Sequence, residues 1–187
     1  MPASLLRLHA AEAVTGGHDP FDVEQADMSR WHNHYPDGHA FFCTYSVEDW
    51  SPRLDERAVA ILYDECDKAR RALDARILAY CIMPNHVHIV IWSESGDSAR
   101  KFLHRTIAQT SRRLRPGGGF WKERPRVFPA YSRRVLDVKV AYVHANPVRH
   151  KLVASPEDWP HSSFRQLMLG ENSGALSCDD WDMAPIW

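Results

Sequence analysis

Two imidazoles stand inside a strongly apolar stretch of the chain. In YCIMPNHVHIVIW, residues Tyr80 to Trp92, His86 and His88 lie two apart where strand alternation asks for valine or isoleucine. Alternate side chains of a strand share a face, so Val87, Ile89 and Ile91 point one way. His86, His88, Val90 and Trp92 then point the other way. At a rise of ~3.3 Å per residue the two histidines are neighbours roughly 7 Å apart along the strand. Two neutral imidazoles on one sheet face can bind a single divalent cation with little rearrangement. A His-x-His pair alone also fits two half-exposed, hydrogen-bonded side chains. The chain has 11 histidines, and His32/His34 form another such pair. The apolar setting of His86 and His88 favours chemistry, because histidine gains nothing from burial there.

A cation held by two imidazoles needs a further ligand and an open position before it can act on a substrate. The helical pattern Arg133–Ala145 and its end, AYVHANPVR, supply candidates. Tyr142 and Asn146 are four apart, hence one above the other on a helix face, in line with Val135 and Val138. A phenol there could reach a metal-bound group while the amide oxygen one turn on ligates the ion. A core tyrosine with a satisfied hydroxyl and a turn asparagine before Pro147 fit the same residues. Tyr63 falls in an amphipathic helix and Tyr80 at a strand start, so core roles suit them. Tyr131, in a basic loop, is the competitor of Tyr142, but it lacks a companion amide one turn on.

Charge is distributed unevenly. The formal net charge is −1, yet between Arg100 and Arg134 eleven Lys/Arg face one acid, Glu123. The segments before Arg30 and after Glu171 are acidic and mask this block. A polyanion partner is one reading and a solvated helix surface the other. Phe102, Phe120, Trp121, Phe128 and Tyr131 are interleaved with the cations, which suits phosphate contacts plus base stacking on single-stranded DNA. Arg105, Arg112, Arg113, Arg115, Lys122, Arg124, Arg126, Arg133 and Arg134 are the expected DNA-binding residues, arginine favouring bidentate phosphate or guanine contacts.

The elements that must position these residues follow from periodicity and breakers. HAFFCTYSV, from His39 to Val47, reads as a first strand. Pro52 opens a helix, Arg53–Leu73, with Leu54, Ala58, Ile61, Leu62, Cys66, Ala69 and Leu73 as its apolar stripe. Arg76–Met83 and Asn85–Trp92 read as a hairpin joined at Pro84-Asn85. A helix is expected over Ser98–Leu114, a short edge strand near Val127–Ala130, and a helix from Arg133 stopped by Pro147. The order β-α-β-β-α-β-α predicts an α+β, ferredoxin-like sandwich. Its antiparallel sheet carries helices on one face, leaving the other for a ligand, with the tyrosine helix near the histidine strand. A length of 187 residues suits one domain. We place it at 38–165, between an N-terminal extension (1–37) and an acidic tail (166–187). Cys43, Cys66, Cys81 and Cys178 show no C-x-x-C spacing, which fits reduced thiols in the cytoplasm. LLRLHAAEAV is broken by Arg7, His9 and Glu12, and no apolar run approaches the ~20 residues that cross a bilayer, so no membrane partner is expected.

Three ordered motifs resemble a known family, the single-tyrosine HUH transposases, and within it the REP-associated tyrosine transposases. MPNHVHIVI carries the His-hydrophobic-His element as His86-Val87-His88. YVHANPVR, Tyr142 to Arg149, resembles the family's Y-I-H-x-N-P-V-R. DWPHSSF, Asp158 to Phe164, resembles its D-[YW]-P-x-S-[ST]-[YF] element. The likeness covers about His39 to Phe164. The family commonly follows N-P-V-R with a small residue and glycine, where this chain has His150-Lys151.

The resemblance implies a metal-dependent endonuclease and strand transferase acting on single-stranded or hairpin DNA, as a monomer or homodimer. It implies a cation, magnesium or manganese, on His86, His88 and, by the family's pattern, Asn146, with Tyr142 as a nucleophile that forms a 5′-phosphotyrosine. A hairpin binder that no longer cuts and a phosphodiesterase using water are the alternatives. An RNA-binding module on the same sheet lacks the R-G-F-x-F strand signature and fits poorly.

Overall fold

The computed structural model describes residues 34–117, 119–122, 124–171 and 176–180. The N-terminal extension expected over 1–37 lies almost wholly outside the described residues, as does part of the acidic tail. Four strands, β1 (His39–Ser46), β2 (Arg76–Ile82), β3 (His86–Ser93) and β4 (Arg126–Ala130), form one sheet in the order β2-β3-β1-β4. Each neighbouring pair is antiparallel, so β1 and β2 are parallel with β3 between them. The helices α1 (Glu56–Leu73) and α2 (Gly96–Leu114) are the two crossovers. This is the α+β, ferredoxin-like arrangement that the element order predicts.

Local chemistry sets the boundaries. The Asp55 carboxylate caps α1 by accepting from the Ala58 N–H at 2.9 Å, and Asp74 closes it in the left-handed conformation. Ser95 caps α2, which begins two residues before the expected Ser98. The hairpin from β2 to β3 turns at Met83–Asn85, with Met83 N–H donating to the His86 carbonyl at 2.8 Å.

Alternation divides the sheet residues between two cores. Phe41, Cys43, Tyr45, Ile77, Tyr80, Ile82, Val87, Ile89 and Ile91 meet α1 and α2 on one face. Ala40, Leu78, Ala79, Cys81, Val90 and Trp92 face the other way. A bulge between Ile77 and Ala79 explains why Leu78 and Ala79 join the same side. This second face was expected to be free for a ligand. It is instead covered over part of its area by α3 (Arg133–Arg149), through Leu136, Val140 and Val143.

The helix α3 also runs past the expected stop. Pro147 lies inside it, and His150 N–H still bonds the Asn146 carbonyl at 3.0 Å. A proline forfeits the bond its own N–H would make to the carbonyl four residues back, here that of Val143, while packing of Val143 holds the helix in place.

The third motif folds along β2, the sheet edge. Ser163 N–H donates to the Tyr80 carbonyl at 3.0 Å, Ile82 N–H to the His161 carbonyl at 2.8 Å, and Trp159 Nε1 to the Ile82 carbonyl at 2.9 Å. The short helix α4 (Phe164–Leu169) follows. Within the stretch expected as a tail, 176–180 also docks on β2: Asp179 N–H donates to the Ile77 carbonyl at 2.7 Å, and Leu176 is buried against α1 and the sheet. An edge strand left bare would template aggregation, and these two segments cover it. No helix among the described residues is long and apolar enough to cross a membrane.

Candidate active site

The site lies where the start of β3 meets the last turns of α3. Register puts Thr44 of β1 opposite His88, and Arg126 of β4 opposite Thr44. Directly opposed residues share a face, so Arg126, Thr44 and His88 form a row across the sheet under α3. One step along, Phe128, Phe42 and Val90 form the next row. The two imidazoles converge to 4.7 Å between ring centroids, and both are buried.

Each imidazole is held through its Nδ1. The Asn85 Oδ1 lies 2.7 Å from His86 Nδ1, and Asn85 Nδ2 donates to the Trp50 carbonyl at 3.1 Å. An amide oxygen only accepts, so the proton of His86 sits on Nδ1 and Nε2 carries a lone pair. Thr44 Oγ1 lies 2.9 Å from His88 Nδ1; a hydroxyl can donate or accept, and as the acceptor it sets the same tautomer on the second ring. Burial, helped by the His150 imidazole, pushes the His86 pKa down to about 4; burial, helped by His86, pushes His88 well below the usual range. The Asn146 amide acts against this on both rings, which places it beside them. Both histidines are therefore neutral at pH 7, the form that ligates metals.

Tyr142 reaches the same place from α3. Its ring centroid is 5.3 Å from that of His88 and 5.7 Å from Phe42, both edge to face. One turn on, Asn146 is buried; its Nδ2 donates back to the Tyr142 carbonyl at 3.5 Å. Two buried polar atoms here have no hydrogen-bond partner, His88 Nε2 and Asn146 Oδ1, and with the His88 proton on Nδ1 both are acceptors. An unsatisfied buried polar group costs ~1–3 kcal/mol, and a divalent cation satisfies acceptors that no donor reaches. The donor set fits such an ion. Among the described residues no three His, Cys, Asp or Glu side chains converge as a metal site, and the oxygen donor beside the two imidazoles is the Asn146 amide.

The rival tyrosines are elsewhere. Tyr63 and Tyr80 meet edge to face, centroids 5.6 Å apart, in the core behind the sheet. Tyr131 packs on His39, at the end of β1 five residues from Thr44, roughly 16 Å along the strand.

The basic block does not form one surface. Arg105, Arg112 and Arg113 lie on α2, and Arg115 caps it, in the layer behind the sheet. Arg113 is engaged by Asp64 and Glu65 of α1, and Arg115 donates to the Gly119 carbonyl at 2.9 Å. Arg133 and Arg134 open α3, two turns and more before Tyr142, with Arg133 paired to Asp137 at 2.9 Å. Arg124 is exposed in the loop before β4. Lys122 and Arg126 stand on the site's side. The expected stacking aromatics are corrected too: Phe102, Phe120 and Trp121 are buried in the core with α1 and α2, so no base can reach their faces.

Several residues escaped the sequence reading. Lys139, Arg149 and His150 lie on the Tyr142–Asn146 face of α3. Lys139 Nζ stands 4.5 Å over the Phe128 ring, Arg149 Cζ 5.5 Å over Tyr142, and the His150 ring 5.6 Å from His86. The i, i+3, i+4, i+7 rule applied outward from Tyr142 would have found them. Thr44 and Trp50 carry no such signal, because only the tertiary fold brings them to the histidines, while Asn85 precedes His86 directly and holds its Nδ1.

Comparison with known proteins follows the same lines. No family model matches the chain. A REP-associated tyrosine transposase of Escherichia coli strain K12 is 26% identical over 141 residues, 74% of this chain and 84% of that protein. A Haemophilus influenzae protein given the same name provisionally is 22% identical over 179 residues, 84% of this chain and 96% of its own length. A solved REP-associated tyrosine transposase bound to a REP hairpin shares the fold, with TM-score 0.64 and 22% identity over 84% of this chain and 96% of that one. Over most of its length the chain is thus similar in sequence to REP-associated tyrosine transposases, and it shares the fold of the solved one.

Proposed function

We propose that the protein is a DNA endonuclease and strand transferase that acts on hairpin DNA through Tyr142. The observation that carries this reading is the packing of the Tyr142 ring against His88, beside two buried acceptors that lack a donor. His86, His88 and Asn146 would hold a divalent cation, magnesium or manganese. The chemistry that ion would supply is Lewis-acid polarisation of a non-bridging oxygen of the scissile phosphate.

The chain's own groups do the rest. The phenol oxygen of Tyr142 bonds to phosphorus as the bond from phosphorus to the 3′ oxygen breaks. The phenol proton passes to solvent water, the 3′ oxygen takes one up from solvent, and the 5′ side stays on the enzyme as a phosphotyrosine ester. Attack by a 3′-hydroxyl on that ester rejoins strands without an external energy source, which water would forfeit. Arg149 beside the ring and Lys139 along the same helix face supply positive charge to the approaching backbone. The solved relative's REP hairpin supports a hairpin as the substrate class.

The test uses labelled hairpin DNA with single-stranded flanks, manganese or magnesium, and denaturing gels. A covalent protein–DNA band is expected, lost in Tyr142→Phe with DNA binding retained. A free 5′-phosphate product without adduct would mean water is the nucleophile, and retarded bands without cleavage would mean a binder.

A further inference from the structure

Trp50 is the large apolar side chain that remains exposed beside the site. Four such residues are exposed among those described, Trp50 (48%), Tyr131, Leu152 and Leu169, and Trp50 is the one packed on a site imidazole. Its ring centroid lies 6.1 Å from that of His86. Its backbone is left-handed, φ 57°, a conformation that bulky side chains rarely adopt and that persists where surrounding structure over-determines it. Here the surrounding bonds are visible. Trp50 N–H donates to the Val47 carbonyl at 3.1 Å, and its carbonyl accepts from Asn85, the residue that also holds His86 Nδ1. The loop carrying Lys122 is tied to the same turn by Lys122 N–H to the Ser46 carbonyl at 2.9 Å and Glu48 N–H to the Phe120 carbonyl at 3.0 Å. Lys122 Nζ stands 5.3 Å over the indole.

A half-exposed indole with a cation over it, fixed at the rim of a phosphate-cleaving site, has one chemical use that a buried core residue lacks. We propose that Trp50, with Lys122, is a stacking platform for a single unpaired nucleobase next to the scissile phosphate, Lys122 contacting that nucleotide's phosphate. This rests on the function proposed above and extends it to a base subsite. It also supplies the stacking that Phe102, Phe120 and Trp121 are too buried to give.

The experiment walks an abasic residue through the single-stranded flanks of a DNA hairpin and measures Kd by fluorescence anisotropy in the Tyr142→Phe background. Trp50→Gly removes the ring and suits the left-handed backbone, so the variant is expected to fold; Trp50→Phe keeps an aromatic face. At one flank position the abasic residue should weaken binding roughly 5- to 150-fold. Trp50→Gly should weaken intact DNA by a similar factor, and the two changes together by no more than either. Trp50→Phe should retain most of the affinity, and 2-aminopurine at that position should be quenched by the parent and not by Trp50→Gly. Independent, multiplying losses at every position, or unchanged affinity in Trp50→Gly, overturn the platform. Adduct formation by the Tyr142 enzyme is read separately. An adduct without the coupling sinks only the platform, and coupling without an adduct sinks only the cleavage.

Discussion

His88 and Asn146 are better understood through what they lack than through what they touch. Their orphaned acceptors are a stability cost that a cation would remove, so stability and metal binding should separate on substitution. In Asn146→Ala the metal-free protein is expected to unfold at an equal or higher urea concentration than the parent, while the rise in Tm on adding manganese shrinks or disappears. The side chains behind the imidazoles should matter almost as much. Thr44→Val and Asn85→Ala each leave one Nδ1 without its partner, and loss of such support typically weakens a metal site about 10- to 100-fold. Isothermal titration with manganese measures this, and unchanged affinity in both variants would sink the ligand assignment. The two histidines were legible from the sequence because an alternating strand exposes a misplaced polar pair. The support from Thr44 was not, since β1 and β3 are joined in register by hydrogen bonds that no local pattern specifies.

At the scale of elements, α3 is aimed by a clamp at its side. His144 Nε2 lies 2.9 Å from Ser163 Oγ, which donates to the Tyr80 carbonyl at 3.2 Å and accepts from Tyr80 N–H at 2.9 Å. One hydroxyl thus ties the tyrosine helix, the third motif and the edge of β2 together. Ser163→Ala should destabilise the fold by about 1–3 kcal/mol by leaving buried partners unpaired, measured by urea denaturation, with metal affinity following as α3 loosens. The end of α3 shows where local rules fail. Proline is a sound stop signal, but one forfeited bond to Val143 is small beside the burial that holds Val140, Val143 and Ala145. The helix therefore continues, and that extra turn carries Arg149 and brings His150 to His86.

For the whole molecule, the sheet sorts the cations into those that can meet a substrate at the site and those behind it. Lys122 and Arg126 on the site's side should each contribute to the salt dependence of hairpin binding. Removing one should reduce the slope of log K against log salt by about 0.7–0.9. Replacing Arg112, in the layer behind, should leave the slope unchanged; equal effects from both sides would refute this division. Acid should unfold the molecule through its buried imidazoles. Burial holds the His144 pKa down to about 3, so the unfolded chain binds a proton that the folded one refuses between pH ~6.5 and that value. Its contribution is complete above ~6.5 and falls as pH drops through the window, at up to ~1.4 kcal/mol per unit. His86 and His88 move in the same direction. Urea midpoints of the metal-free protein at pH 7, 5.5 and 4.5, test values of roughly even spacing across that window, should fall in that order.

The sequence by itself determined the order of elements, the face on which His86 and His88 stand, and the pairing of Tyr142 with Asn146 one turn apart. Those follow from periods of 2 and 3.6 residues that are local to one strand or one helix. Only the tertiary structure decided that α3 crosses the histidine face, that Thr44 meets His88, and that Trp50 rather than Trp121 keeps an open ring. These depend on which strands pair, in what register, and which side of the sheet each helix covers, and those are set by burial summed over the whole chain.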